Sequence, residues 1–270
     1  MNRQRILTIA RKDLSEVLRN KQTLAPLLVV PIMFAAIFPA AIALLGRSPI
    51  PTASVNGLDA FLDNIPEGVL PPDLDTGGVV VYAALTYFMA PLFLLIPVMV
   101  ASVVASSSFV GEKERRTLEG LLYTPVTNRE LVLGKVLASL VPAVVITWGS
   151  FAIYTVIANV LGNPVVGRTF FPNPTWLIVV FLLVPVIAFL AITLIVAVSG
   201  RSTTVQGAQG ISVLVLLPVL ALVIGQATGL MLFDAPIALI AVVVIAAIDV
   251  AVFLAVAKTF ERERLITKLT

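Results

Sequence analysis

Six stretches of this chain are each apolar for about the twenty residues that a helix needs to cross a bilayer. They run over 24–45, 79–108, 131–161, 175–199, 208–232 and 236–257. Nothing else in the sequence constrains the fold as strongly. In lipid only helices and closed barrels satisfy their own backbone hydrogen bonds, and these runs are continuous rather than alternating, which selects helices. Charged residues make up 12% of the chain and hydrophobic ones 59%, against about 25% charged in a soluble domain. The surface is too poor in charge to face water. The expected fold is an all-α membrane protein with six transmembrane helices in one domain over 24–257. The second and third runs exceed the bilayer, so they tilt or continue into water.

The charges fix the orientation. Of eighteen Lys and Arg residues, only Arg47 and Arg168 fall on one side of this topology. The other sixteen lie before the first run, between the second and third or at the entry to the third (Lys135), between the fourth and fifth, and in the tail 258–270. The positive-inside rule places both termini in the cytoplasm, as an even number of spans also requires. The pI near 9.4 therefore reflects topology, not nucleic-acid binding. The chain has neither Cys nor His, which removes thiol chemistry and the usual general base. The first apolar run has 22 residues, too long for the apolar core of a signal peptide, and it reads as an uncleaved span.

Residues 1–23 read as an amphipathic helix lying along the cytoplasmic interface. Over 5–20, Ile6, Leu7, Ile9, Leu14, Val17 and Leu18 fall at helical spacing, with Arg11, Lys12, Asp13, Glu16 and Arg19 opposite. The outer loop 46–78 is acidic and rich in Pro and Gly, and reads as a small irregular cap. The run from Gly162 to Thr169 nearly spells a phosphate loop, but Arg168 stands where the lysine belongs and no strand precedes it. The chain has no ATP site of its own.

The most specific feature lies between the second and third runs, over 109–130 and into Lys135. Thr117, Leu118, Glu119, Leu121 and Leu122 suit a short helix with polar and apolar faces; Pro125 ends it, and Thr127 or Asn128 can cap the next. A plain turn would need neither a helix nor so many charges. Such a helix, parallel to the membrane, suits docking by a cytoplasmic partner. The competing reading is an electrostatic topology anchor.

The run Glu112-Lys-Glu-Arg-Arg-Thr-Leu-Glu-Gly-Leu-Leu-Tyr-Thr-Pro-Val-Thr-Asn-Arg-Glu-Leu-Val-Leu-Gly-Lys135 resembles the signature segment of ABC type-2 transporter permeases. Residues 10–23 are similar to that family's interfacial, or elbow, helix. The resemblance implies the membrane subunit of an ATP-driven exporter in a prokaryotic plasma membrane. Two permease copies would pair with separate ATP-binding-cassette subunits that hold ATP and Mg. Glu112, Glu114, Thr117, Leu118, Glu119, Leu121, Leu122 and Pro125 would form the coupling element. Relatives that move sodium or drugs often carry a large domain between spans one and two. Here only 33 residues are available, which leaves lipid, drug, peptide or sodium ion as cargo.

Asp249 lies inside the sixth run. A carboxylate there should face the bundle or a wet cavity, either as a pathway or ion site, together with Gln226, or as a structural hydrogen-bonding group. It also supports a rival reading, a gradient-driven secondary transporter using Asp249. Other polar residues in the runs read as helix–helix contacts, and prolines 31, 39, 91, 97, 142, 185 and 218 as kinks.

Overall fold

The computed structural model describes residues 2–47, 61–62, 65–66, 68–114, 127–199 and 202–259. Every regular element among them is helical. An N-terminal helix, α1 (Arg3–Arg19), precedes six helices long and apolar enough to cross a membrane: Leu27–Leu45, Thr76–Glu114, Glu130–Val166, Pro174–Ser199, Val205–Ala227 and Ala235–Ala255. At 1.5 Å per residue, the 39 residues of the second span reach about 58 Å, well beyond a hydrocarbon core of about 30 Å. Its last turns, which meet α1, are therefore more than a hydrocarbon core of that thickness can hold.

Short polar side chains start most spans. Asp75 Oδ1 accepts from Gly78 N (2.7 Å), Asn173 Oδ1 from Trp176 N (3.0 Å), Thr204 Oγ1 from Gly207 N (3.1 Å) and Asp234 Oδ1 from Ile237 N (3.1 Å). Thr127 caps the third span in a reciprocal capping box with Glu130. That helix, Asn128–Val166, ends at Gly167, whose φ of 77° is a left-handed cap. The residues resembling a phosphate loop are thus the last turn and cap of a transmembrane helix. Between the fifth and sixth spans, Leu230 N and Met231 N both donate to Gly225 O. This is a tight turn, with no re-entrant helix.

The second span lies at the centre, buried nearly all round, and packs against the first, third and fourth; the fourth also packs against the sixth. The outlying spans expose apolar side chains such as Ile32, Val160, Leu217 and Val243. In water such a surface would aggregate; in lipid it is the expected exterior. Between spans two, three and four, Phe93, Tyr154, Phe171 and Trp176 form an aromatic core, with Tyr154 stacked on Trp176 at 4.6 Å.

Three spans contain a π-helical segment: Met33–Ile37, Ala84–Phe88 and Val179–Leu183. Each lies just before a proline, at 39, 91 and 185. A proline ring clashes with the carbonyl four residues back. Those carbonyls belong to Ala35, Tyr87 and Phe181, all inside the π segments. Carbonyls within two of these segments gain partners from neighbouring helices. Tyr154 Oη donates to Leu85 O (2.7 Å), Trp176 Nε1 to Thr86 O (2.7 Å) and Trp148 Nε1 to Val180 O (3.0 Å). Both tryptophans of the chain are used in this way. The prolines thus widen the helical turn ahead of them, and polar aromatics hold the loosened backbone.

Candidate functional site

The sequence pattern puts α1 on an interface, and the structure shows what its packed face is for. Ile6, Ile9, Asp13 and Val17 form the buried side. This corrects the expectation for Asp13, which does not lie opposite the apolar stripe but within it, 3% exposed. Leu7 and Leu18 instead point outward. The close approach that buries α1 is made at Gly134. A Cβ there would lie 2.8 Å from Ile9 Cβ and 3.1 Å from Ile6 O, so no side chain larger than hydrogen fits without moving α1.

Lys135, the next residue, meets Asp13. Its ammonium lies 3.2 Å from Asp13 Oδ2 and 2.9 Å from Glu112 Oε2, and it donates to Ser108 O. The contact with Glu112 is ionic, without hydrogen-bond geometry. Ser108 donates its hydroxyl to Asp13, and Lys12 donates to Glu112 Oε1 (2.6 Å). Among the described residues, Lys12, Asp13, Glu112 and Lys135, from α1, the end of span two and the start of span three, therefore meet in one charge cluster. Lys135, Asp13 and Glu112 are each at most 5% exposed at the side chain. The crevice beside them, lined by Asp13, Glu16, Val17, Ser107, Ser108 and Glu112, has no room for a water molecule. Burial works against the charge of Lys12. The hydrogen bond and charge of Glu112, then the charges of Asp13 and Glu16, outweigh it and raise the ammonium above its ordinary range.

The same helix reaches the other side of the motif. Asn2 N donates to Glu130 Oε1 (2.7 Å), and Arg5 lies 3.9 Å from Glu130 Oε2. Glu130 is also the acid of the capping box on Thr127. Glu114 accepts from Val205 N (2.8 Å) and Lys113 donates to Ser202 O (3.2 Å), which fastens the end of span two to the start of span five.

Of the predicted coupling residues, Glu112 and Glu114 are thus placed in these contacts. Thr117, Leu118, Glu119, Leu121, Leu122 and Pro125 lie outside the described residues. What the structure adds is that both roots of segment 115–126 are bound to α1. Asp13, Gly134 and Lys135 were legible only as letters of the motif or of an amphipathic pattern, because Asp13 meets Ser108 and Lys135 across 95 and 122 residues of sequence, and Gly134 meets α1 across a similar separation.

Asp249 and Gln226 do not share a site. Gln226 is one residue from the end of the helix Val213–Ala227. Asp249 is fourteen residues into Ala235–Thr259, about 21 Å along it. Both are buried, Gln226 completely and Asp249 to 5% exposure. Among the described residues, neither amide atom of Gln226 nor Oδ1 of Asp249 has a hydrogen-bond partner. Thr147, Ser150 and Thr193 are buried and donate to carbonyls of their own helices, whereas Tyr154 donates across to span two. Among the described residues no three acidic, His or Cys side chains gather as they would around a metal ion.

A family model described as "ABC-2 family transporter protein" matches residues 7–243. That interval contains most of α1, the motif, the first five spans and the start of the sixth. A search of curated proteins returned no match.

Proposed function

Because the chain belongs to the ABC-2 transporter family, we propose that it is the permease subunit of an ATP-driven exporter whose ATP and Mg reside in a separate ATP-binding-cassette subunit. The observation that carries this reading is the anchoring of segment 115–126. A segment that only set topology would need no fixed roots. This one leaves span two through a buried charge cluster and enters span three through a capping box, and α1 holds both. A push on the segment would be delivered to α1 and to spans two and three together, not lost in slack. Thr117, Leu118, Glu119, Leu121, Leu122 and Pro125 would meet the ATPase, while Glu112 and Glu114 would tie that contact to the membrane.

In this reading both termini are cytoplasmic, the membrane is a prokaryotic plasma membrane, and two copies of the chain form the pathway, since closed two-fold assemblies are the commonest. ATP binding would draw the two ATPases together, and the coupling segments would shift the spans between closed and open arrangements. The chain itself would perform no covalent chemistry. Its cargo is a lipid, drug, peptide or sodium ion.

The test is ATP hydrolysis by a candidate ATPase co-expressed and co-purified with this chain, with and without Glu119→Arg plus Leu122→Asp. Hydrolysis that depends on the permease, and that the double change uncouples, is the expected result. If no ATPase co-purifies and the changes do nothing, the exporter reading fails. Asp249, buried with one carboxylate oxygen unpartnered, then makes gradient-driven transport the better account.

A further inference from the structure

The outward face of α1 has a composition of its own. Residues 3, 7, 11, 14 and 18 recur at intervals of four, four, three and four, and so fall within about 80° of one another around the helix. They read Arg, Leu, Arg, Leu, Leu. Arg3, Leu7, Arg11 and Leu18 are exposed and Leu14 half-buried, with Leu7 at 63% and Leu18 at 53%. The acids of the helix, Asp13 and Glu16, lie on the arc that meets the rest of the protein.

The cations differ in the same way. Arg5 pairs with Glu130, and Lys12 and Lys135 pair with Glu112 and Asp13. Among the described residues, Arg3, Arg11 and Arg19 have no acidic partner, and the first two of these fall on the stripe. One face of α1 thus carries leucines in line with two uncommitted guanidiniums and no counter-charge. The helix ends just ahead of the first apolar span: Asn20 N closes its end on Val17 O, and the stretch apolar enough to cross a membrane begins at Leu27.

We propose that this Arg3–Leu7–Arg11–Leu14–Leu18 stripe is a binding surface for anionic phospholipid, with the leucines in the acyl boundary and the two guanidiniums on headgroup phosphates. Arg suits this role because its planar fork donates two parallel hydrogen bonds to a phosphate. Apolar side chains interleaved with basic ones are what an interfacial helix uses to choose charged membrane over neutral. Neutral lipid would cover the leucines equally well; it would leave the arginines without a net counter-charge.

The test is competition between phosphatidylglycerol and phosphatidylcholine for the purified full chain, read by native mass spectrometry after extraction from vesicles of equal parts of the two. The wild type should retain phosphatidylglycerol preferentially. Arg3→Gln with Arg11→Gln should reduce that preference by about thirtyfold, about fivefold per arginine, while Arg3→Lys with Arg11→Lys keeps most of it. Arg19→Gln, about a third of a turn off the stripe, should leave it unchanged. The effect should shrink with added salt. An unchanged preference in the double Gln variant, or an equal fall in Arg19→Gln, overturns the proposal. So does intact lipid preference together with lost capture of the ATPase in neutral micelles, which would assign the stripe to a protein partner.

Discussion

Lys135→Met tests the buried charge cluster most directly, because it keeps the length of the side chain and removes only the ammonium. Lys135 lies 2.9 Å from Glu112 and 3.2 Å from Asp13. At an effective dielectric constant of about 20, each contact is an attraction of about 5 to 6 kcal/mol. Taking each ion out of water costs several kcal/mol, so the intact cluster contributes little net stability. Removal of one member is another matter. It would leave two carboxylates buried, with Lys12, half-exposed, as their nearest remaining cation among the described residues. Breaking a buried pair in this way costs about 3–5 kcal/mol, or about two to four orders of magnitude in the unfolding equilibrium. Unfolding in mixed micelles, followed by tryptophan fluorescence, reads that loss. Lys12→Met should cost less than Lys135→Met, because its half-exposed ammonium is partly screened by water. The neutral triple variant Asp13→Asn, Glu112→Gln, Lys135→Met should recover most of the loss, since it leaves no charge buried alone. If Lys135→Met costs less than about 1 kcal/mol, or the triple variant is worse than the single one, the cluster is not the desolvated unit described above.

Gly134→Val should displace α1, because a Cβ at that position overlaps Ile9; an overpacking cost of about 1–3 kcal/mol should be relieved in part by Ile9→Ala in the same unfolding assay. Trp148→Phe and Tyr154→Phe each remove one donor to a π-segment carbonyl and should each cost about 1 kcal/mol, additively, since they serve different spans. Asp249→Asn should lower transport in proteoliposomes while leaving assembly with the ATPase intact; undiminished transport would make Asp249 structural.

The spans were legible because a bilayer demands one property, continuous apolarity, and the sequence displays it directly. The caps were nearly as legible: Thr127 could be named because its work is done within three residues. The charge cluster was not. Asp13 has the composition of a polar-face residue, and its burial depends on Ser108 and Lys135, which become neighbours only when three helices meet. Gly134 and Lys135 ended a recognisable motif, yet nothing local indicates that one makes room for Ile9 and the other neutralises two acids. The prolines could be read as kinks, but the deformation lies four residues earlier, at the carbonyl that the ring displaces. Asp249 and Gln226 were paired because each is polar in an apolar run. Sequence says little about depth, and at different depths they do not form one site.

A π turn closes its hydrogen bond over one residue more than an α turn does. Each of the three segments therefore amounts to a single residue inserted into an otherwise regular span, accommodated by bulging the wall of the helix. The consequence is evolutionary as much as mechanical. A related chain that lacks the insertion in span four would run as plain α-helix there, one residue shorter, with no loosened carbonyl near Val180 and no need of an indole at 148. Deletion of one residue from 179–183 together with Trp148→Phe should accordingly be tolerated better than either change alone, and gaps of one residue inside membrane spans become interpretable as repairs of the backbone.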